Sequence, residues 1–236
     1  MLAESKLKRI NKKYNFDIKS SVSFLNFLQI SNEFLKDLWE LEFKKLRSFD
    51  LSMKNISDIN GFEKVNFPEL KDLEIRRNKI SDINIFEKVN FPKLERLDLS
   101  QNNISDINIF EKVNFPELKD LNLGLNKISD INVFEKVNFP KLFTLYLNNN
   151  NISDINVFEK VNFPELFTLY LSNNNISDIK VFAKIKFDKL TNLSLLGNRL
   201  LDLKNNKENK QALSKLKHQL NSEYFHYDKD DECCII

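Results

Sequence analysis

Leucines recur through the middle of this chain in a fixed pattern of apolar and polar positions. Each unit has the form LxxLxLxxNxI, as in Leu94, Leu97, Leu99, Asn102 and Ile104. The LxL pair alternates with polar neighbours on a period of two, which predicts a short strand with its leucines on one side. Between the strands the segment ISDINxFEKVNFPxL runs first from Ile56 to Leu70, returns at Ile80, Ile104, Ile128 and Ile152, and returns more loosely at Ile176. The step is 24 residues each time. A constant period of that size predicts stacked units sharing one elongated core rather than a globule around a single centre.

Within a unit, the strand is followed by a turn and one short helical turn. Ser57-Asp58 and their copies are N-cap candidates, with Glu63 and its counterparts a few residues on. Ile59, Phe62 and Val65 stand at helix-like spacing. Pro68 and its copies at 92, 116, 140 and 164 are expected to stop the turn and extend the chain toward the next strand. Phe62, Phe86, Phe110, Phe134, Phe158 and Phe182 should stack in one column, and Phe67, Phe91, Phe115, Phe139, Phe163 and Phe187 in another. These are core positions rather than a ligand box. The Asn of each unit is expected to be buried and to bond the backbone of its own turn and of the next unit.

Six units in register carry this pattern, and a first keeps Leu46, Phe49, Leu51 and Ile56 but has Lys54 in place of the Asn. Together they resemble the leucine-rich repeat family in its short intracellular form. The resemblance implies an α/β solenoid: a curved parallel β-sheet on the concave face, short helical turns on the convex face, and an asparagine ladder between them. The organisation expected is an N-terminal cap over 1–45, partly helical, then seven 24-residue units over 46–200, a C-terminal cap helix over 201–221, and a flexible tail over 222–236. Phe34, Leu38, Leu41 and Phe43 look like half a unit without a clear strand, and the residues before them are expected to fold over that end as helix.

The convex segments are near copies, while the polar positions flanking the strand leucines differ from unit to unit. Those positions point onto the concave face. The residue between the strand leucines reads Asp50, Glu74, Asp98, Asn122, Tyr146, Tyr170, Ser194. The first half is therefore acidic, with Arg76 and Arg96 nearby to offset repulsion between neighbouring strands. It is either a solvated polar sheet or an acidic stripe awaiting a basic partner. The second half carries Tyr146 and Tyr170, flanked by Phe143 and Phe167, with Leu125 and Leu196 nearby. Exposed aromatics of this kind mark protein contacts, with the two tyrosines as expected hot spots.

Composition narrows the function further. The net charge is +2 with 30% charged residues, which implies neither a nucleic-acid nor a polyacid partner. The only cysteines are Cys233 and Cys234, so there is no disulfide framework. No secretory segment follows Met1, and no apolar run reaches the length of a membrane span. The sequons headed by Asn55, Asn103, Asn151, Asn175 and Asn192 are taken as accidents of the repeat, and the body is expected to be cytoplasmic. The ending DDECCII resembles a CaaX prenylation signal, with Cys233 as acceptor and Cys234 as a second thiol. That implies a peripheral hold on a cytoplasmic membrane face, helped by basic residues elsewhere.

Catalytic chemistry finds no foothold. The only histidines are His218 and His226, no zinc spacing or phosphate loop is present, and Asp50 with Glu74 would need a closed cleft to act as a glycosidase pair. The expectation is a non-enzymatic scaffold with no cofactor, no metal and no small-molecule substrate. It would grip a protein partner on the concave sheet through Asp50, Glu74, Arg76, Arg96, Asp98, Phe143, Tyr146, Phe167, Tyr170 and Leu196. The alternatives are a phosphatase-regulatory type of subunit, which the resemblance implies more loosely, and a lipid-anchored peripheral adaptor.

Overall fold

The computed structural model describes residues 2–14, 24–26, 32–38, 43–185, 187–200, 207–220 and 225–227. Along the chain these form α1 (Leu2–Tyr14), β1 (Phe24–Asn26), α2 (Asn32–Leu38), β2 (Ser48–Asp50), β3 (Asp72–Glu74), β4 (Arg96–Asp98), β5 (Asp120–Asn122), β6 (Thr144–Tyr146), β7 (Thr168–Tyr170), α3 (Val181–Lys184), β8 (Asn192–Ser194), α4 (Lys207–Gln219) and β9 (Phe225–His226). The strands lie side by side in chain order in one nine-stranded parallel sheet. Register between the repeat strands is a shift of 24 residues, so each strand leucine abuts its copy, as Leu97 does Leu73 and Leu121.

The inward leucines and the phenylalanines form one continuous core, with Phe62, Phe67, Leu73, Leu97, Leu121, Phe139 and Leu145 fully buried. The phenylalanine columns interlock. Phe67 stacks on Phe91 at 6.2 Å, and the first-column rings from Phe62 to Phe158 each meet the second-column ring of the next unit edge-on, as Phe110 does Phe139 at 6.0 Å and Phe134 does Phe163 at 5.9 Å. Such contacts add about 0.5–1.5 kcal/mol per pair beyond burial and hold one unit to the next.

The ladder asparagines reach back rather than forward. Asn150 donates through Nδ2 to Leu123 O at 3.0 Å in the preceding unit and to Leu147 O at 3.1 Å in its own, while its Oδ1 accepts from Ile128 N–H at 2.9 Å. The expected partner in the next unit is thereby corrected to one in the unit before. The convex turns from the first to the fifth are 3₁₀, over Asn60–Lys64, Asn84–Glu87, Asn108–Glu111, Asn132–Glu135 and Asn156–Glu159. No serine caps them. Instead each Asp accepts from the N–H two residues on, as Asp58 does from Asn60 at 2.8 Å, an Asx turn that sets the chain direction before the helical turn. The Glu once expected to complete the cap pairs with the Lys of the following unit, as Glu111 does with Lys136 at 3.1 Å. The prolines stand inside a hydrogen-bonded turn, with Leu70 N–H donating to Phe67 O at 3.1 Å across Pro68. Asp188 takes the proline's place in the last unit, and the turn survives, with Leu190 N–H to Phe187 O at 3.1 Å.

Both ends depart from expectation. Residues Phe24–Asn26 are a strand, in register with β2. Leu38 and Phe43 stand 24 residues before Phe62 and Phe67 and are buried in the same core, with Phe43 6.1 Å from Phe67. The cap thus contains a further worn unit, hidden in the sequence because its letters, with Ile30 and then Lys54 at the sequence positions of the ladder asparagines, no longer match the repeat. At the other end, Phe225–His226 pairs with β8, and Leu195 N–H donates to His226 O at 2.7 Å. Part of the segment expected to be a flexible tail is therefore an edge strand, because the last repeat would otherwise present unpaired backbone groups. The helix α4 closes the convex side. Asn209 accepts from Ile179 N–H at 2.9 Å, Lys215 donates to Ala183 O and Ile185 O at 2.9 and 2.7 Å, and Gln219 donates to Phe187 O at 2.8 Å. Those side chains satisfy backbone groups that a following unit would have met. Cys233 and Cys234 lie outside the described residues.

Candidate functional site: the concave face

In-register parallel strands bring identical positions together at the strand spacing of about 4.8 Å. Tyr146 faces Tyr170 across β6 and β7, and their rings stack with centroids 5.0 Å apart and planes 15° apart. Phe143 and Phe167, which precede those strands, stack at 4.9 Å and 5°. Between the two stacks lie Thr144 and Thr168, both buried. Two pairs of aromatic rings and the threonines between them form one patch, in which Phe143 remains 43% exposed. Burial comes first, then the neighbouring Tyr170, in raising the Tyr146 phenol above the usual range. From Phe143 to Gly197 the concave positions of β6 to β8 hold no charged side chain.

The acidic row behaves differently. Asp50, Glu74 and Asp98 are in register on β2, β3 and β4, but each is occupied by its own strand. Asp50 accepts from Ser52 N–H at 2.8 Å. Asp98 accepts from Ser100 N–H at 2.9 Å and from its hydroxyl at 2.6 Å. Glu74 lies 3.6 Å from Arg76 Nε. Arg96 stands in register between Asp72 and Asp120. Burial raises the Asp72 carboxyl above its ordinary value, and Arg96 works against the rise. Along the edge of the sheet, Glu95 sits between Lys71 and Lys119, at 2.5 and 2.7 Å. Hydrogen bonds from Lys119 and then Lys71 bring its carboxyl down to about 2. Asp50, Glu74, Asp98 and Glu95 of the first half thus already hold hydrogen bonds or an ion pair within the chain.

A groove of about 510 Å³ crosses the junction of the two halves. Arg76, Arg77 and Asp98 line it at one end, Tyr146 and Tyr170 further along, and Leu125, Asn149 and Asn173 on one wall. That wall is a row of residues with left-handed backbone: Arg77, Gln101, Leu125, Asn149 and Asn173 have φ between 54° and 56°. Each N–H there donates to a carbonyl of the next unit, as Leu125 does to Asn148 O at 2.8 Å. The conformation is imposed by stacking, and the side chain it displays is left to vary. The floor dips at Gly124, where a Cβ would stand 2.8 Å from Asn148 Oδ1.

Of the residues singled out in the sequence, Arg76, Asp98, Tyr146 and Tyr170 line this groove. Phe143 and Phe167 lie on the opposite flank of the threonines, and Leu196, 41% exposed, lies toward the C-terminal end outside the lining. The wall as a row is new: Leu125 is expected only as a neighbour of the tyrosines, and Arg77 and Gln101 are not expected at all. Its signal was available, since Asn149, Asn173 and Gly197 occupy the same place before the ladder Asn, and Asn and Gly favour left-handed backbone. Among the described residues no cluster of His, Cys, Asp and Glu is arranged to hold a metal, and no helix is long and apolar enough to cross a membrane.

Residues 92–136 match a family model described as leucine-rich repeats in two copies. Among curated proteins, none matches the chain in sequence. Among solved structures, an internalin (inlF) from Listeria monocytogenes str. 4b F2365 superposes with a TM-score of 0.64 at 26% identity, over 88% of this chain and 55% of its own. The chain thus spans about half the length of that internalin. Internalin C2 (inlC2) from the same strain gives a TM-score of 0.53 at 19% identity, over 79% of this chain and 91% of its own. The plant peptide hormone receptor RGFR1, solved in complex with RGF2, gives 0.54 at 18%, over 75% of this chain and 28% of its own. The chain is a leucine-rich-repeat solenoid, similar in fold to internalins.

Proposed function

We propose that this chain is a non-enzymatic scaffold that holds a protein partner on the C-terminal half of its concave sheet. The observation that carries the proposal is the pair of stacks, Tyr146 on Tyr170 and Phe143 on Phe167, on a surface without charge. Covering such a surface releases water from apolar area and strips no ion of its hydration. Rigid stacked rings also lose little side-chain freedom on binding. A plant peptide hormone receptor that shares the fold alone was solved in complex with RGF2. The test is covalent capture. A photo-crosslinking residue at position 172 should trap a partner in the native cell, one at position 105 on a loop should not, and Tyr146→Ala with Tyr170→Ala should abolish the product. Equal trapping by the double variant, with an unchanged circular dichroism spectrum, rejects the proposal.

We propose in addition that the tail attaches the chain to a membrane. The structure describes the chain up to Tyr227, and Cys233 is six residues further on, so a lipid there would be tethered within ~20 Å of β9. One lipid chain binds membranes only marginally, and the exposed Lys207, Lys210 and Lys217 of α4 would supply the second attraction at an anionic cytoplasmic face. Intact mass of the native protein reports the lipid. Flotation with vesicles should be lost in Cys233→Ser with Cys234→Ser, and equal flotation of that variant removes this part.

A further inference from the structure

We infer that the groove at the junction of the two halves takes an acidic–apolar peptide segment: a carboxylate held by Arg76 and Arg77, with an apolar side chain about three residues away against Leu125 and Tyr146. This rests on the proposed use of the concave face and reverses its expected electrostatics. The acids on the face suggested a basic partner. Within the groove the balance is reversed, since two arginines line it against a single acid, Asp98, whose Oδ1 is already bonded by the Ser100 N–H and hydroxyl. The arginines are the opposite case. Arg76 contacts Glu74 through Nε, and Arg77 donates to Gln101 Oε1 through Nε. Among the described residues no acceptor meets the Nη groups of either. The Nη edge is the planar fork that matches a carboxylate. The Arg76–Glu74 contact is long and partly exposed, so a ligand displaces it at small cost.

The wall supplies the second half of the inference. Arg77 and Leu125 both sit at φ 55°, a conformation that Asn or Gly adopts with less strain. Leu125 is also 44% exposed. An exposed apolar side chain gains when a ligand covers it. Leu125 lies two strands along from Arg77, a span of about 10 Å, or roughly three residues of an extended chain. Beyond it, the amides of Asn149 and Asn173 line the rest of the wall and can serve the ligand's backbone.

The experiment is selection on the immobilised full chain from two pools of short random peptides. The pools share sequences and differ only in a free-acid or amidated C-terminus. Binders should carry a carboxylate two to four positions from Leu, Ile, Phe or Met, and should weaken when salt is raised from about 50 to about 500 mM. Asp or Glu enriched in both pools identifies a side-chain carboxylate, and binders from the free-acid pool alone identify the chain terminus. Arg76→Gln with Arg77→Gln should weaken the selected peptides about tenfold or more, and Leu125→Asn several-fold, with the fold unchanged. Neutral or basic binders, equal affinity of the arginine variant, or no selected peptide would overturn the inference. If peptides depend on Tyr146 and Tyr170 but not on the arginines, the concave-face reading stands and only the carboxylate site falls.

Discussion

The N-terminal and C-terminal halves of the concave sheet are built on the same scaffold and finished with opposite chemistry. From β2 to β5, acids and bases are interspersed and satisfy one another or their own strand. From β6 to β8 there is no charge, and two aromatic stacks face outward. The convex turns, ladder asparagines and phenylalanine columns are nearly the same in both. What differs is therefore not needed for stacking. Charged groups already bonded on the free protein gain less from a partner that must break those bonds, whereas bare aromatic area gains whenever it is covered. The groove lies where the halves meet, with its arginines from one and its tyrosines from the other.

Four experiments probe that contrast. The largest effect should come from the scaffold the halves share. Asn102→Ala and Asn150→Ala each orphan buried backbone groups in two units. Each should cost about 3 kcal/mol or more of stability by urea unfolding. Near-equal losses support a common scaffold; a large inequality would mean that the halves differ below the surface too. Next, Tyr146→Ala with Tyr170→Ala should weaken partner binding by at least about 2 kcal/mol, roughly 30-fold in Kd. Asp50→Asn with Asp98→Asn should change it by less than about 0.5 kcal/mol, since those carboxylates serve their own strands. Titration calorimetry distinguishes the two, and equal losses would erase the contrast.

A smaller effect is confined to acid. The Glu95 carboxyl, ordinarily near 4.5, is brought to about 2 by Lys119 and Lys71. Its folded value lies below its unfolded one, so the stability it contributes is fully present above about 4.5 and fades as pH falls toward about 2. Glu95→Gln should lower urea midpoints at pH 7, and the gap from wild type should narrow through that window. A constant gap would mean that the two lysines do not act through charge. The smallest effect belongs to the convex ladder. Lys136→Ala removes one exposed pair with Glu111 and should cost less than about 0.5 kcal/mol, within the scatter of thermal melts at high salt.

Much of the fold was legible because repetition makes local pattern and tertiary contact the same thing. A residue's neighbour across the sheet is its own copy 24 positions away, so the column of phenylalanines and the facing of Tyr146 and Tyr170 could be read from spacing alone. The ends were not legible for the complementary reason. An end unit has no copy beyond it, and its sequence is free to drift provided something covers the core. The strand at Phe24–Asn26 and the edge strand at Phe225–His226 satisfy that need without keeping the repeat's letters.

The candidate site divides along the same line. Which residues stand on the concave face follows from alternation within LxL. How they are used there does not, because Asp98 with Ser100, or Arg77 with Gln101, depends on side-chain reach in three dimensions. The order of letters dictated a stacked body with an inner face and assigned each side chain to core or surface, since burial of leucine every few residues allows one solution. Folding in space decided which charges meet and where a groove opens, because those depend on distances between units that no single unit encodes.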